Sequence, residues 1–339
     1  MEQTINWSEL SFGYTKTDYN VRRYYRNGSW GELETSSQET INIHISSTCL
    51  HYGQESFEGL KAFRGRDGRI RIFRPQENAR RMQASSRGIM MAELPENKFM
   101  EAVERVVRLN ERFVPPYGSG ASLYIRPLLL GLGALIGVKP ADEYVFLVFV
   151  TPVGPYFKTG FKPAPVCIMR GFDRAAPLGT GSIKVGGNYA ASLVAGSKAQ
   201  EGGYVAVLYL DPKEKKYIDE CGPANFFGIR DNTYITPASD SILPSITNKS
   251  LVQLAADMGL KVERRPILVA ELATLEEAAE CGTAAVVTPI SRIDDLDENR
   301  SYIYSADGKP GVVCEKLYKR LLGIQTGDDE DPYGWVHIL

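Results

Sequence analysis

Apolar and polar residues alternate over Glu39–Ile45 (Glu-Thr-Ile-Asn-Ile-His-Ile), a period of two that predicts a half-buried strand. The same period returns over Arg69–Phe73, after the tight-turn signal Arg66-Asp67-Gly68. Between them, His51–Phe63 begins like a short helix and passes after Gly59 into a strand, so two antiparallel strands flank the turn. The helical period then takes over. Pro75 suits a first helical turn and Gly88 a stop, giving a helix to about Arg87 with Asn78 and Arg81 on one face. A second helix, about Asn97 to Phe113, buries Val103, Val106 and Val107 and ends before Pro115-Pro116. Ala121–Leu130 is a strand with Tyr124 and Arg126 on one side and Leu123 and Ile125 on the other. Leu132–Lys139 is an apolar, glycine-rich loop of the kind that faces a partner or a site. Tyr144–Val150 is a continuously apolar, buried strand.

Thr151–Pro165 contains Pro152, Pro155, Pro163 and Pro165 and supports no regular element. The expected division is a smaller N-terminal domain (1–152), a Pro/Gly-rich loop (153–165) and a larger C-terminal domain (166–339), a mixed α/β (α+β) chain. The second half reads as strands at Val166–Met169, Tyr204–Leu210, Tyr217–Glu220, Asn225–Arg230, Thr233–Thr236 and Val262–Arg265. Helices are expected over Tyr189–Gln200, Asn248–Met258 behind a Thr247 N-cap, Glu271–Glu280 and Val312–Leu322. Gly282–Val287 reads as a strand entered through a Gly-Thr turn.

Composition narrows the chemistry. The 339 residues are 43% hydrophobic and 24% charged with a net charge of −2, which describes a soluble globular protein without a basic field for nucleic acid or membrane. No signal peptide or membrane span is evident. Five well-separated cysteines read as reduced thiols in the cytoplasm. His44, His51 and His337 have no partner at ligand spacing, and there is no Gly-x-Ser-x-Gly elbow, so triad hydrolysis and zinc chemistry are disfavoured. Lys, Glu, Tyr and Arg, or an organic cofactor, must carry any reaction.

Ser182-Ile183-Lys184-Val185-Gly186-Gly187-Asn188-Tyr189-Ala190 holds a lysine among small and apolar neighbours. Desolvation lowers a lysine's hold on its proton and yields an amine able to attack a carbonyl. Alone, the nonapeptide reads equally well as a loop lysine in a glycine-rich turn. Other features fit one ligand with it. Glu220 at a strand end can face a protonated ring nitrogen, and Tyr189 can contact a phenolate oxygen. The helix start at Thr247, with Thr283 and Arg81, can hold a phosphate. Aldehyde, phenolate, pyridine nitrogen and phosphate are the handles of pyridoxal 5'-phosphate. A phosphate-ligand binding protein without covalent chemistry is the alternative on these residues.

The chain resembles the branched-chain amino acid aminotransferases, fold-type IV pyridoxal phosphate enzymes, over nearly its whole length. The resemblance rests on Tyr52-Gly53-Gln54, Phe57-Glu58-Gly59-Leu60-Lys61-Ala62-Phe63, Phe73-Arg74-Pro75 with Asn78 and Arg81-Met82, and Leu123-Tyr124-Ile125-Arg126-Pro127. It continues through Lys184-Val185-Gly186-Gly187-Asn188-Tyr189, Asp219-Glu220-Cys221-Gly222, Leu243-Pro244-Ser245-Ile246-Thr247 and Gly282-Thr283-Ala284.

The resemblance implies reversible transfer of the amino group of L-leucine, L-isoleucine or L-valine to 2-oxoglutarate. It implies Lys184 as the imine-forming lysine and proton-moving base, Glu220 on the pyridine nitrogen and Tyr189 on the phenolate. Arg81, Ile246, Thr247 and Thr283 correspond to the phosphate site. Phe12, Phe57, Tyr124 and Tyr156 correspond to pocket walls, and Tyr52 and Val138 to residues supplied across a homodimer. Ala284 and Ala285 offer amides to the substrate carboxylate, and Arg126 receives the second carboxylate of glutamate. Pro223 replaces the threonine of animal members, and Ala285 and Thr288 stand where those members have a Cys-x-x-Cys. A D-amino acid aminotransferase or an aminodeoxychorismate lyase shares the fold and is the nearest rival; the Tyr-x-Arg strand and long N-terminal region argue against it.

Overall fold

A computed structural model describes residues 5–7, 9–155 and 160–339. The chain divides into two compact units, one holding residues 1–156, 183–186 and 323–339, the other 157–182 and 187–322. This departs from the expected 166–339 block in two places. The C-terminus joins the first unit because Val336–Ile338 pairs with Ile70–Phe73. The four residues around Lys184 also belong to the first unit.

The first unit is built on a nine-stranded sheet whose pairs are all antiparallel. Its spine is the ten-residue strand Ser122–Gly131, paired along its length with Tyr144–Val153. One face carries Leu123, Ile125, Val148 and Val150 into a core closed by Met82 of helix Pro75–Gly88 and by Phe99, Val103 and Val107 of helix Glu96–Leu109. On the opposite edge of Ser122–Gly131, Leu60–Arg64 covers Leu123–Ile125 and Glu55–Phe57 covers Leu128–Leu130. The interruption between them lies opposite Arg126-Pro127. Proline has no N–H to donate to a ladder, and Pro127 instead accepts from the Glu58 amide at 2.9 Å. Glu58 and Gly59 therefore step out of the sheet. Gly59 is required there, because a Cβ would collide with the Tyr124 hydroxyl.

The second unit has a mixed nine-stranded sheet. The strands Ile218–Cys221, Ala206–Leu210, Ala164–Ile168, Val286–Asp295, Glu277–Gly282 and Ala224–Arg230 pair in that order, and the last pairs back with the first, closing a barrel. Val166, Ile168, Leu208, Leu210, Phe226, Ala278 and Ile293 pack together in one cluster. Cys167, Val207 and Tyr209, on the alternate positions, pack against Ala195 and Ala199 of helix Gly186–Glu201.

Several expectations are revised. Glu39–Ile45 forms no strand; Ile41 and Ile43 are half-buried as the alternation implies, but Arg22 takes the Gln38 and Thr40 carbonyls at 2.5 and 3.0 Å, so the neighbouring backbone is satisfied without a ladder. Strands instead occupy Asn20–Arg26, Ser29–Trp30 and Glu34–Ser36. Tyr144–Val153 runs on through Pro152, which faces Leu123 in register. The alanine-rich run Glu271–Glu280 is a 3-10 turn, Val269–Thr274, followed by the strand Glu277–Gly282; tertiary pairing outweighs local propensity. The helix Ile246–Asp257 starts one residue before Thr247, and its cap is Ser245, whose hydroxyl accepts from the Asn248 amide at 3.2 Å. Among the described residues, no helix is long and apolar enough to cross a membrane, and no metal-holding group of His, Cys, Asp or Glu occurs. All five cysteines are free thiols.

Candidate active site

In the first unit, the segment around Lys184 is stitched down by its backbone. The Lys184 amide donates to Ser85 Oγ at 2.9 Å, and its carbonyl accepts from the Phe57 amide at 3.2 Å. The Gly186 amide donates to Glu55 Oε1 at 2.5 Å. Any side chain at residue 186 would collide with that carboxylate, which explains one of the two glycines after Lys184. So fixed, the half-buried Lys184 places Nζ 4.7 Å from the centre of the Phe57 ring. The Arg126 guanidinium lies 5.0 Å from the same ring, and Nη2 donates to Tyr124 Oη at 3.3 Å. Both ring contacts are cation–π interactions that hold cations against an apolar wall. Arg126 Nε is buried without a hydrogen-bond partner. Phe12 packs edge-on to Tyr124 at 4.9 Å between ring centres.

Arg81 stands on helix Pro75–Gly88. Its Nε and Nη2 donate to Glu58 Oε1 and Oε2 at 2.8 and 2.7 Å, and Asn78 donates to the same Oε2 at 2.7 Å. The Glu58 side chain is wholly buried. The sequence shows the shared helical face of Asn78 and Arg81 but not its partner, for which a lone carboxylate inside Ser56–Phe63 is the signal. Tyr52 and Val138 are exposed, and the Tyr52 hydroxyl donates to the Ile136 carbonyl of the apolar loop. Tyr156 lies outside the described residues.

In the second unit, Glu220 sits on Ile218–Cys221, only 2% exposed. Arg174, itself buried, approaches Oε1 at 2.8 Å. The Leu243 amide donates to Oε1 at 3.3 Å and Asn225 to Oε2 at 2.6 Å. Burial pushes the Glu220 carboxyl up to about 7 against the pull of Arg174, the Leu243 amide and Asn225. Arg174 carries no periodic or motif signal, so sequence reasoning misses it. Asn225 also donates to the Leu243 carbonyl at 3.1 Å and accepts from Asn248 at 3.2 Å, tying Glu220 to the start of Ile246–Asp257. There the buried Ile246 and Thr247 stand at the first two helical positions, whose amides precede any intrahelical bond.

Thr283, Ala284 and Ala285 form the turn between Glu277–Gly282 and Val286–Asp295. The turn closes on Val286, at φ 67°, with the Val287 amide donating to the Ala285 carbonyl at 2.9 Å. This is a positive-φ γ-turn on a β-branched residue, a strained conformation of the kind that accumulates at functional sites. Tyr189 is half-buried near the start of Gly186–Glu201. Pro223, with Gly222, forms the tight turn after Cys221. Burial pushes the Cys221 and Cys281 thiols well up, so both are unreactive core residues.

Each unit by itself offers groups suited to part of a phosphorylated pyridine aldehyde: the first an amine on an aromatic wall and a buried guanidinium N–H without a hydrogen-bond partner, the second a buried carboxyl beside an arginine and open amides at a helix start. The amino-transferase class IV family model matches residues 55–293. The branched-chain-amino-acid aminotransferase of Helicobacter pylori is 48% identical over 337 residues, covering 98% of both chains. The chain belongs to the class IV aminotransferases, in the branched-chain group. The fold agrees. The Escherichia coli branched-chain amino acid aminotransferase superposes with a TM-score of 0.78 at 28% identity, covering 95% of this chain and 99% of the other. A T.th. branched-chain amino acid aminotransferase complexed with N-(5'-phosphopyridoxyl)-L-glutamate gives 0.74 at 28% identity, with coverage of 93% and 97%. Enzymes of this family depend on pyridoxal phosphate.

Proposed function

We propose that this class IV aminotransferase moves the amino group of L-leucine, L-isoleucine or L-valine to 2-oxoglutarate, using pyridoxal 5'-phosphate carried on Lys184. The observation that supports this reading best is the Lys184 amine held over Phe57 beside Arg126. When bound, pyridoxal phosphate supplies an aldehyde that accepts the amino group and a ring that draws electrons from the substrate α-carbon.

The chain's own residues do the rest. Lys184 Nζ takes the proton from the α-carbon and returns it at the neighbouring carbon. Glu220 would accept from the ring N–H when the cofactor is bound; Arg174 opposes the burial that raises its carboxyl to about 7. Tyr189 donates to the phenolate oxygen. The groups proposed to hold the phosphate are Arg81, aimed by Glu58 and Asn78, and, from the second unit, Thr283 and the amides of Ile246 and Thr247. Ala284 and Ala285 present amides to the substrate carboxylate. Phe12, Phe57, Tyr124 and Tyr156 form the walls for an aliphatic side chain, and Arg126 meets the second carboxylate of glutamate.

A homodimer supplies Tyr52 and Val138 to the neighbouring copy, which accounts for a loop leaving Ile136 and Val138 75% and 88% exposed. Five free thiols suit a cytoplasmic protein. Borohydride reduction of the loaded protein, followed by peptide mass spectrometry, should find a pyridoxyl adduct on Lys184. An adduct on another lysine, or none, would overturn the reading.

A further inference from the structure

A pocket that accepts leucine and glutamate in turn has a charge problem. An arginine suited to the glutamate side chain lies beside an aliphatic one in the other half of the reaction, and a half-buried cation without a counter-charge favours dicarboxylates. Arg126 is in that position: among the described residues, no carboxylate lies within ion-pair distance of it, and its Nε is buried and unpartnered.

Glu55 is a carboxylate on the strand that carries the ring Arg126 rests on. It stands two residues before Phe57 on Glu55–Phe57, hence on the same side of the strand as the ring that takes both Lys184 and Arg126. It is half-buried, Oε1 is anchored on the Gly186 amide, and Oε2 has no partner among the described residues. The glycine at 186 is the condition for that approach. We propose that Glu55 is a specificity-determining residue, a fixed counter-charge that balances Arg126 when an aliphatic substrate is bound and weakens its preference for the acidic one. Consistently, burial pushes the Glu55 carboxyl up, while the Gly186 amide and the positive charge of Arg126 pull it back down. The inference rests on the proposed function, in which Arg126 meets the second carboxylate.

Glu55→Gln tests it cleanly, because glutamine keeps an oxygen for the Gly186 amide and loses only the charge. Glutarate and 4-methylpentanoate, a dicarboxylate and an aliphatic monocarboxylate of matching length, are titrated by calorimetry into the pyridoxal phosphate-loaded protein. The expected result is a shift of about ten-fold in the ratio of their Kd values toward glutarate, the size of one partly screened charge–charge interaction. In an Arg126→Gln background the same change should leave the ratio fixed. If Glu55→Gln does not fold, Glu55→Ser removes the charge by another route. An unchanged ratio overturns the proposal. So does an equal loss for both ligands, which would mean that Glu55 only braces the Lys184 segment. Wild-type protein that transaminates neither leucine nor glutamate would sink the proposed function instead.

Discussion

The two units handle charge in opposite ways. In the first, Lys184 and Arg126 rest on one phenyl ring, partly open to water, and the carboxylate of Glu55 stands on the same strand as that ring. In the second, Glu220 is almost fully withdrawn from water and its ionisation is favoured by a buried arginine, a backbone amide and Asn225. A cation on an aromatic wall keeps part of its hydration and can change partners. A carboxylate inside a barrel wall cannot, and its hold on a proton is set by its contacts. The amine proposed to react thus sits where adjustment is cheap, and the buried carboxyl sits where adjustment is expensive.

The contrast can be broken at its strongest point first. Lys184→Ala should lower leucine–2-oxoglutarate turnover by about a thousand-fold or more, since a positioned acid–base group alone contributes about 10²–10⁴. The melting temperature should hardly move, because the segment is held by backbone bonds.

Arg174→Leu should do the reverse in the second unit and strike stability. It leaves a buried carboxylate unpaired, a loss of about 3–5 kcal/mol at pH 8. The loss should shrink toward pH 5, where Glu220 takes up a proton, so denaturant melts of the cofactor-free protein at both pH values check the idea.

The smallest effect concerns Glu280, 6% exposed, whose Oε2 has no close hydrogen-bond partner; Thr288 faces it in register and pulls its carboxyl down by less than burial pushes it up. Burial pushes this carboxyl up to about 7. A carboxyl raised in the folded state favours folding below its unfolded value, near 4.5, and that contribution disappears as pH climbs through about 7. Glu280→Gln should therefore raise the melting temperature at pH 8 by about 3–5 °C and leave it nearly unchanged at pH 5. A gain of equal size at both pH values would assign the effect to packing.

The sequence was most informative where one face of an element meets water and the other a core. Pro75, Gly88 and the Asn78–Arg81 spacing marked a helix to within a residue, and Tyr124 and Arg126 fell on one side of their strand as the period required. It was least informative where tertiary partners decide. Glu271–Glu280 looks helical until two neighbouring strands claim Glu277–Gly282. Lys184 stands out by its apolar neighbours, yet it is only half-buried, while Lys61, with no such signal, has an amine that burial lowers to about 8. Apolar neighbours in sequence do not fix how much water a long side chain keeps. Arg174 and Glu55 act through contacts far along the chain, which no local pattern encodes.

The first unit draws on three separate stretches of chain, the last of them ending at Leu339. Its sheet lacks the edge strand Val336–Ile338 until those residues have been made, and the Lys184 segment is added only after the strands through Tyr144–Val153 have emerged. During synthesis, the N-terminal sheet must therefore wait with one border unpaired while the barrel is translated. A nascent chain stalled before residue 336 should be the aggregation-prone form of this protein.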